Sequence, residues 1–431
     1  MRIKSIILLT AVYLLGTTEG VLSQNNAVDK KYVKGITELS KKDNVKSALD
    51  YIYKVDDKTT QDLILLTEIP APPFKEEKRA AKYAEMLKEA GADSAWIDEV
   101  GNVLALRKGT KGNKAVALDA HIDTVFPEET DVTVKMRGDT LYAPGIGDDT
   151  RGLVVVLTVL RALEASNIET EDDVLFIGTV GEEGLGDLRG VKHIFREGGP
   201  KIDQWIAVDG GGLNRVINKG LGSYRYRVTF KGPGGHSWGS FGYVNPAHAL
   251  SRAVNHFSIE ADKFTSDGPR TSFNIGRIGG GTSVNSVPFE AWMEVDMRSV
   301  SPESLNKIDA ILKRAIQKGV DEENAFRKSG APLTVDIDMI GNRPSGEIAD
   351  NDPLVQNAMA TTVFLGGEPS LGRSSTDSNI PISLGIPSVT IGRGGVGAHG
   401  HSLHEWWLNK DGHLAIQRAL LLLLSQTGVA N

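Results

Sequence analysis

The side chains with the most chemistry to offer are His121, Asp123, Asp148, Glu182, Glu183, Asp209 and one histidine from the segment Ala398-His399-Gly400-His401-Ser402-Leu403-His404-Glu405. Imidazole and carboxylate together are the donor set for zinc, with cobalt or manganese as competitors, and the absence of cysteine argues against a structural zinc. Two divalent cations held about 3.5–4 Å apart share a bridging carboxylate and supply a hydroxide nucleophile at neutral pH. Such a pair polarises a scissile carbonyl. Among the three late histidines, His399, His401 and His404 are all candidates for the last ligand.

These residues need elements that bring them together. The run Val174–Thr179 is nearly continuous in apolar side chains, as in a strand buried on both faces, and it leads through Gly181 into Glu182-Glu183. Ala115–Ala120 ends on His121-Ile122-Asp123, and Trp205–Val208 ends on Asp209 followed by three glycines. Helical patterns at Gly152–Ala165 and Leu188–Arg196 separate these strands. The alternation predicts an α/β fold, a mostly parallel sheet with helices on both faces, whose strand carboxyl ends carry the site.

From Ser223 the rhythm changes to strict alternation, Tyr224, Tyr226, Val228 and Phe230 against Arg225, Arg227 and Thr229. A helix Asn245–Ile259, strands at Phe273–Ile278 and Ala291–Met297, a helix Pro302–Lys318 and a strand Leu333–Met339 make a βαββαβ order, similar to a ferredoxin-like α+β layer. Beyond Pro353 the α/β pattern returns, with a strand at Ser388–Ile391 and a final helix from about Lys410 to Leu424. The expected division is 1–23 signal peptide, 24–221 first part of a catalytic domain, 222–340 inserted lid or dimerisation domain, and 341–431 second part of the catalytic domain.

With 431 residues the chain is long enough for two domains. Its net charge of −7, with no basic run, gives no support to nucleic-acid binding. Arg2 and Lys4 precede a short apolar run, Ile6–Leu15, the layout of a signal peptide with cleavage after Ser23, so export to the periplasm or beyond is expected. No later apolar stretch is long enough for a membrane span.

The segments His121-Ile122-Asp123, Gly147-Asp148-Asp149, Glu182-Glu183, Val208-Asp209-Gly210 and His401-Ser402-Leu403-His404-Glu405, in this order, resemble the M20 metallopeptidase family, the group of carboxypeptidase G2, peptidase T and aminoacylase-1. The resemblance covers nearly everything after about residue 55. It implies that Asp148 bridges two metal ions, that His121 and Asp209 complete one and Glu183 and His401 the other, and that Glu182 is the general base. His401 is favoured because it stands four residues before Glu405. Asp123 would sit behind His121 and fix its tautomer. In the insertion, Gly232–Ser237 resembles the segment whose histidine, here His236, stabilises the oxyanion, often across a dimer interface, and Gly280–Pro288 resembles the loop whose asparagine, here Asn285, binds substrate. Arg298, at a strand end, is a candidate to bind a carboxylate or else a surface ion-pair partner, while Ser374–Asp377 and Gly392–Gly395 lie where the family lines its pocket. Thr150 stands where the family commonly has lysine. The implied activity is cleavage of small peptides, as an exopeptidase or dipeptidase, through a metal-bridging hydroxide, with homodimerisation through residues 222–340. An N-acyl-amino-acid amidohydrolase and a non-catalytic binding protein are the alternatives on the same scaffold.

Overall fold

Four parallel apolar strands lie at the centre of the molecule, as seen in a computed structural model that describes residues 28–430. The signal-peptide reading of residues 1–23 falls outside these. Asp173–Thr179 pairs in parallel with Ala115–His121, which pairs with Gln204–Val208, which pairs with Ser388–Ile391. The hairpin of Ser94–Ile97 and Val103–Arg107 extends one side antiparallel, and Arg215–Gly220 and Gly346–Glu347 extend the other. Leu118, Phe176, Ile206 and Val389 are fully buried, which is why the strands read as unbroken apolar runs rather than alternating ones. Register sets the site. His121 stands opposite Thr179, and Asp119 opposite Ala207, so His121, the Glu182-Glu183 turn and Asp209 leave the sheet at one edge.

The helix Thr150–Ala165 starts immediately after Asp148-Asp149 and is buried along nearly its whole length, packed on the Ala115–His121 strand and on the helix His413–Thr427. Residues on both sides of the insertion therefore build one sheet and one core. Among the described residues, no helix is long and apolar enough to cross a membrane.

The insertion forms a separate antiparallel sheet in the order Thr271–Gly280, Glu290–Ser299, Gly222–Lys231, Thr334–Arg343. One face carries the helices Pro246–Thr265 and Pro302–Phe326, and the core between them is its own cluster around Val228, Phe230, Phe257, Met293 and Leu312. Both helices run on past the ends expected at Ile259 and Lys318, because Ala261 and Val320 continue their buried faces. Gly319 is a crossing point rather than a stop, since a Cβ there would lie 2.8 Å from the Ala249 carbonyl oxygen.

A four-stranded sheet not expected from the sequence joins Lys135–Arg137, Thr140–Tyr142, Trp406–Leu408 and Val396–Ala398. Its strands are only three residues each, too short to show a period. It matters nonetheless, because pairing Trp406–Leu408 with Thr140–Tyr142 brings the loop of His401 against the loop of Asp148.

Candidate metal centre and active site

The loops at the strand ends place His121, Asp148, Glu183, Asp209 and His401 around one cavity, with Glu182 among them. Nε2 of His121 lies 3.4 Å from Oδ1 of Asp148, and Nε2 of His401 lies 3.2 Å from Oδ2 of the same carboxylate and 2.7 Å from Oε1 of Glu183. Donor atoms of His121, Asp148 and Asp209 fall within 4.8 Å of one another, as do those of Asp148, Glu183 and His401. A tetrahedral zinc with bonds of about 2.0–2.2 Å places its ligand atoms about 3.4 Å apart. The donor set therefore fits divalent cations, which His121, Asp148 and Asp209 on one side and Asp148, Glu183 and His401 on the other would hold. His399 and His404 are exposed and outside both groups.

His121, Glu182 and Glu183 also lie within that distance, so proximity does not divide the glutamate pair. Their partners do. Glu183 faces His401, whereas Oε1 of Glu182 accepts a hydrogen bond of 2.8 Å from the buried Arg343, whose guanidinium also donates to Ser375 and to the Glu182 backbone carbonyl. Arg343 ends the strand Thr334–Arg343, three residues past the expected end of the insertion at 340. Nothing in the periodicity singled it out, although its position at the return from insertion to main sheet is a signal that could have done so.

Asp123 differs from expectation. The hydrogen bond at His121 Nδ1 goes to the Asp123 backbone carbonyl at 2.9 Å, while the carboxylate stands 3.8 Å away. That carboxylate accepts instead from the Glu182 and Glu183 amides, at 2.9 and 2.8 Å, and so shapes the turn carrying both acids. The backbone contact leaves Nε2 of His121 facing Asp148, the tautomer a ligand needs.

Charge is concentrated here. Burial works to lower the pKa of His121, but the Asp148 hydrogen bond and the charges of Asp149 and Asp123 outweigh it and push it up. His401 is pushed up to about 10 by its bonds to Asp148 and Glu183. Burial pushes Glu182 and Asp209 up. Asp148, although buried, is held well below the usual range by Arg393, His121 and His401. Arg393 stands 3.3 Å from Asp148, 3.6 Å from Asp149 and 3.8 Å from Asp209, behind the cluster rather than in its cavity. Two buried acids were not foreseen at all: both oxygens of Asp119 and of Asp149 lack hydrogen-bond partners, and burial pushes both carboxyls up.

Glu405 holds the Asp148 loop. Its carboxylate accepts from the amides of Gly145, Gly147 and Asp148 at 2.7–2.9 Å. A Cβ at residue 147 would meet Glu405 at 2.8 Å, so only glycine lets the acid approach. Glu405→Ala strands three buried donors, each costing about 1–3 kcal/mol. The denaturation midpoint is expected to fall by the equivalent of at least about 3 kcal/mol, with metal content reduced as well.

Asp377 is buried, accepts from Thr179 Oγ1 at 2.6 Å, and has its carboxyl pushed up to about 6, first by burial. A folded-state pKa above the unfolded value of 3.8 means stability is lost as pH rises from about 4 to about 6 and stays lost above that. Asp377→Asn is therefore expected to stabilise chelator-treated protein by up to about 3 kcal/mol at pH 8 and by almost nothing at pH 3.5. Urea unfolding at the two pH values measures this.

Of the residues expected to contact substrate, Arg298 lines the cavity. His236 and Asn285 do not. His236 lies on the two-residue ribbon Gly235–His236 with Ser286–Val287, Asn285 stands just before that ribbon's second strand, and both are exposed outside the cavity. Thr150, where a lysine was noted as common, donates from Oγ1 to the Gly145 carbonyl and accepts from the buried Arg79, so it ties the Asp148 loop to the sheet.

Comparison with known proteins places this architecture. Residues 117–425 match the profile of Peptidase family M20/M25/M40. The chain is 26% identical over 303 residues to the uncharacterized protein YqjE of Bacillus subtilis, covering 68% of this chain and 76% of that protein. It is 28% identical over 250 residues to succinyl-diaminopimelate desuccinylase of Corynebacterium glutamicum, covering 56% and 66%. A tripeptidase structure from Staphylococcus aureus superposes with a TM-score of 0.70 at 22% identity, over 86% of this chain and 98% of that one. The matched profile spans most of the main sheet, the insertion and the loops around Asp148, and the chain is thus a metal-dependent hydrolase belonging to peptidase family M20/M25/M40.

Proposed function

We propose that the protein is an exported hydrolase that cleaves amide bonds of small peptides with two divalent cations, zinc foremost and cobalt or manganese as alternatives. The observation that carries this is the Asp148 carboxylate, presenting one oxygen to His121 and the other to His401. In this proposal His121 and Asp209 hold one cation, Glu183 and His401 the other, and Asp148 both. Bound there, the cations would polarise the scissile carbonyl and lower the pKa of water. Glu182 takes the proton of the attacking water and returns it to the leaving amine. Arg343 keeps the Glu182 carboxylate oriented and out of the ligand set, and Asp123 fixes the turn on which Glu182 and Glu183 stand. The catalytic domain would comprise residues 24–221 and 341–431 around the 222–340 insertion.

A second reading on the same scaffold is removal of an acyl group from an N-acyl amino acid. It is favoured by a cavity wall without apolar side chains and by similarity to a protein named a desuccinylase. A panel of di- and tripeptides and N-acyl amino acids separates the two. Turnover is expected to vanish with chelator and return with zinc; turnover indifferent to chelator would refute both. Export is proposed from Arg2, Lys4 and the apolar run after them, and is checked by whether the mature chain outside the cytoplasm starts at Gln24. Homodimerisation through residues 222–340 is proposed as the means of bringing His236 to a neighbouring site, with light scattering as its check.

A further inference from the structure

Among the described residues, Arg393 is the one lysine or arginine that forms ion pairs with Asp148, Asp149 and Asp209. A single guanidinium nitrogen, Nη1, stands 3.3, 3.6 and 3.8 Å from the Oδ1 atoms of the three carboxylates. Other cationic groups bear on these acids as well. Nε2 of His121 lies 3.4 Å from Asp148 and Nε2 of His401 3.2 Å from it, while Arg215 acts on Asp209 from beyond ion-pair distance. None of the three pairs with Asp149, whose oxygens are buried without a hydrogen-bond partner.

The geometry of Arg393 is that of a charge rather than of a clamp. An arginine that orients a carboxylate donates two short parallel bonds, as Arg189 does to Glu76 at 2.9 and 2.8 Å. Arg393 gives these acids one hydrogen bond, the 3.3 Å contact with Asp148. Other contacts place the acids. The Asp148 amide donates to Glu405, the Asp209 amide donates to the Ile391 carbonyl at 2.9 Å, and the Asp149 carbonyl accepts from Leu153 at the start of its helix. Arg393 also lines a second cavity, of about 490 Å³, which shares no residue with the cavity of the metal centre. Seven of its lining residues are glycines, among them Gly394 and Gly395 beside Arg393 itself, so the guanidinium has free space on the side away from the acids.

Building on the two-cation reading above, we propose that Arg393 is a built-in counter-ion, which supplies positive charge to Asp148, Asp149 and Asp209 when no cation is bound and competes with the cation for those carboxylates. A buried acid that loses its positive partner destabilises a protein strongly, and a cation held by His121, Asp148 and Asp209 meets the same need. The two sources of charge repel each other across a few ångströms, so each weakens the hold of the other. The role is one of metal loading and of stability in the stripped chain; Arg393 touches no reacting atom.

The test uses the full chain, stripped with chelator or loaded with zinc, as wild type, Arg393→Met and Arg393→Lys. Stripped Arg393→Met is expected to have a thermal midpoint about 5 °C or more below stripped wild type, with the zinc-loaded forms within about 2 °C of each other. Competition with a chromophoric chelator should show one zinc equivalent bound about tenfold or more tighter in Arg393→Met. Arg393→Lys keeps the charge and should return both values toward wild type. A residue that fills space or orients the acids gives a different pattern, with equal midpoint losses in both forms, or zinc binding unchanged or weaker. Either result overturns the proposal while leaving the hydrolase intact. Stripped Arg393→Met that folds only when zinc is added upholds it. If that variant folds in neither form, Arg393→Lys decides alone: a wild-type response to zinc upholds the proposal, and a midpoint loss in both forms overturns it. Wild type that takes up no zinc removes the two-cation reading and this proposal together.

Discussion

Glu182→Ala is expected to lower kcat by about 10²–10⁴-fold while the protein keeps its full complement of metal. The two halves of that result come from different contacts. Loss of rate follows because the carboxylate that would move the proton is gone, and no other free acid lines the cavity outside the proposed ligands. Retention of metal follows because Glu182 is engaged with Arg343, whereas Glu183 is the member facing His401. The variant should fold, since Arg343 keeps Ser375 Oγ and the backbone carbonyl of residue 182 as acceptors. Metal content by elemental analysis, measured beside single-turnover kinetics, checks both halves. A parallel loss of metal and rate would make Glu182 a ligand and reverse the assignment of the pair.

The second large effect is expected at Asp148, the one side chain common to both proposed cation sites. Asp148→Ala should empty both and abolish turnover, with an affinity loss beyond the about 10–100-fold seen when only an outer partner of a ligand is removed. Asp209→Ala and His401→Ala should each weaken one site and spare the other, giving proteins that retain about one equivalent. The loop itself should survive in Asp148→Ala, because Glu405 holds it through backbone amides that the substitution leaves in place. Two equivalents of tightly bound metal in Asp148→Ala would mean that the sites do not share this residue.

Much of this architecture was legible in the chain before any coordinates. The unbroken apolar runs at Val174–Thr179 and Trp205–Val208 identified buried parallel strands because neither face of such a strand meets water. The switch to strict alternation at Ser223 marked the insertion for the converse reason, since one face of its sheet is solvated. Less legible was the helix end at Phe326, where Gly319, which permits two helices to touch, looks in sequence like a glycine that ends one. The three-residue strands around Trp406–Leu408 were invisible, being shorter than any period that could reveal them.

What the sequence determined by itself was the set of donor types, their order and their arrival at strand ends. Those properties are local and are set by composition and spacing. Only the tertiary structure decided which glutamate pairs with Arg343, that Asp123 holds the Glu182 turn by its carboxylate and His121 by its carbonyl, and that Arg215, Arg225 and Arg298 face one cavity. Such pairings depend on a few ångströms between segments far apart in the chain, and periodicity along a strand or helix carries no information about that distance.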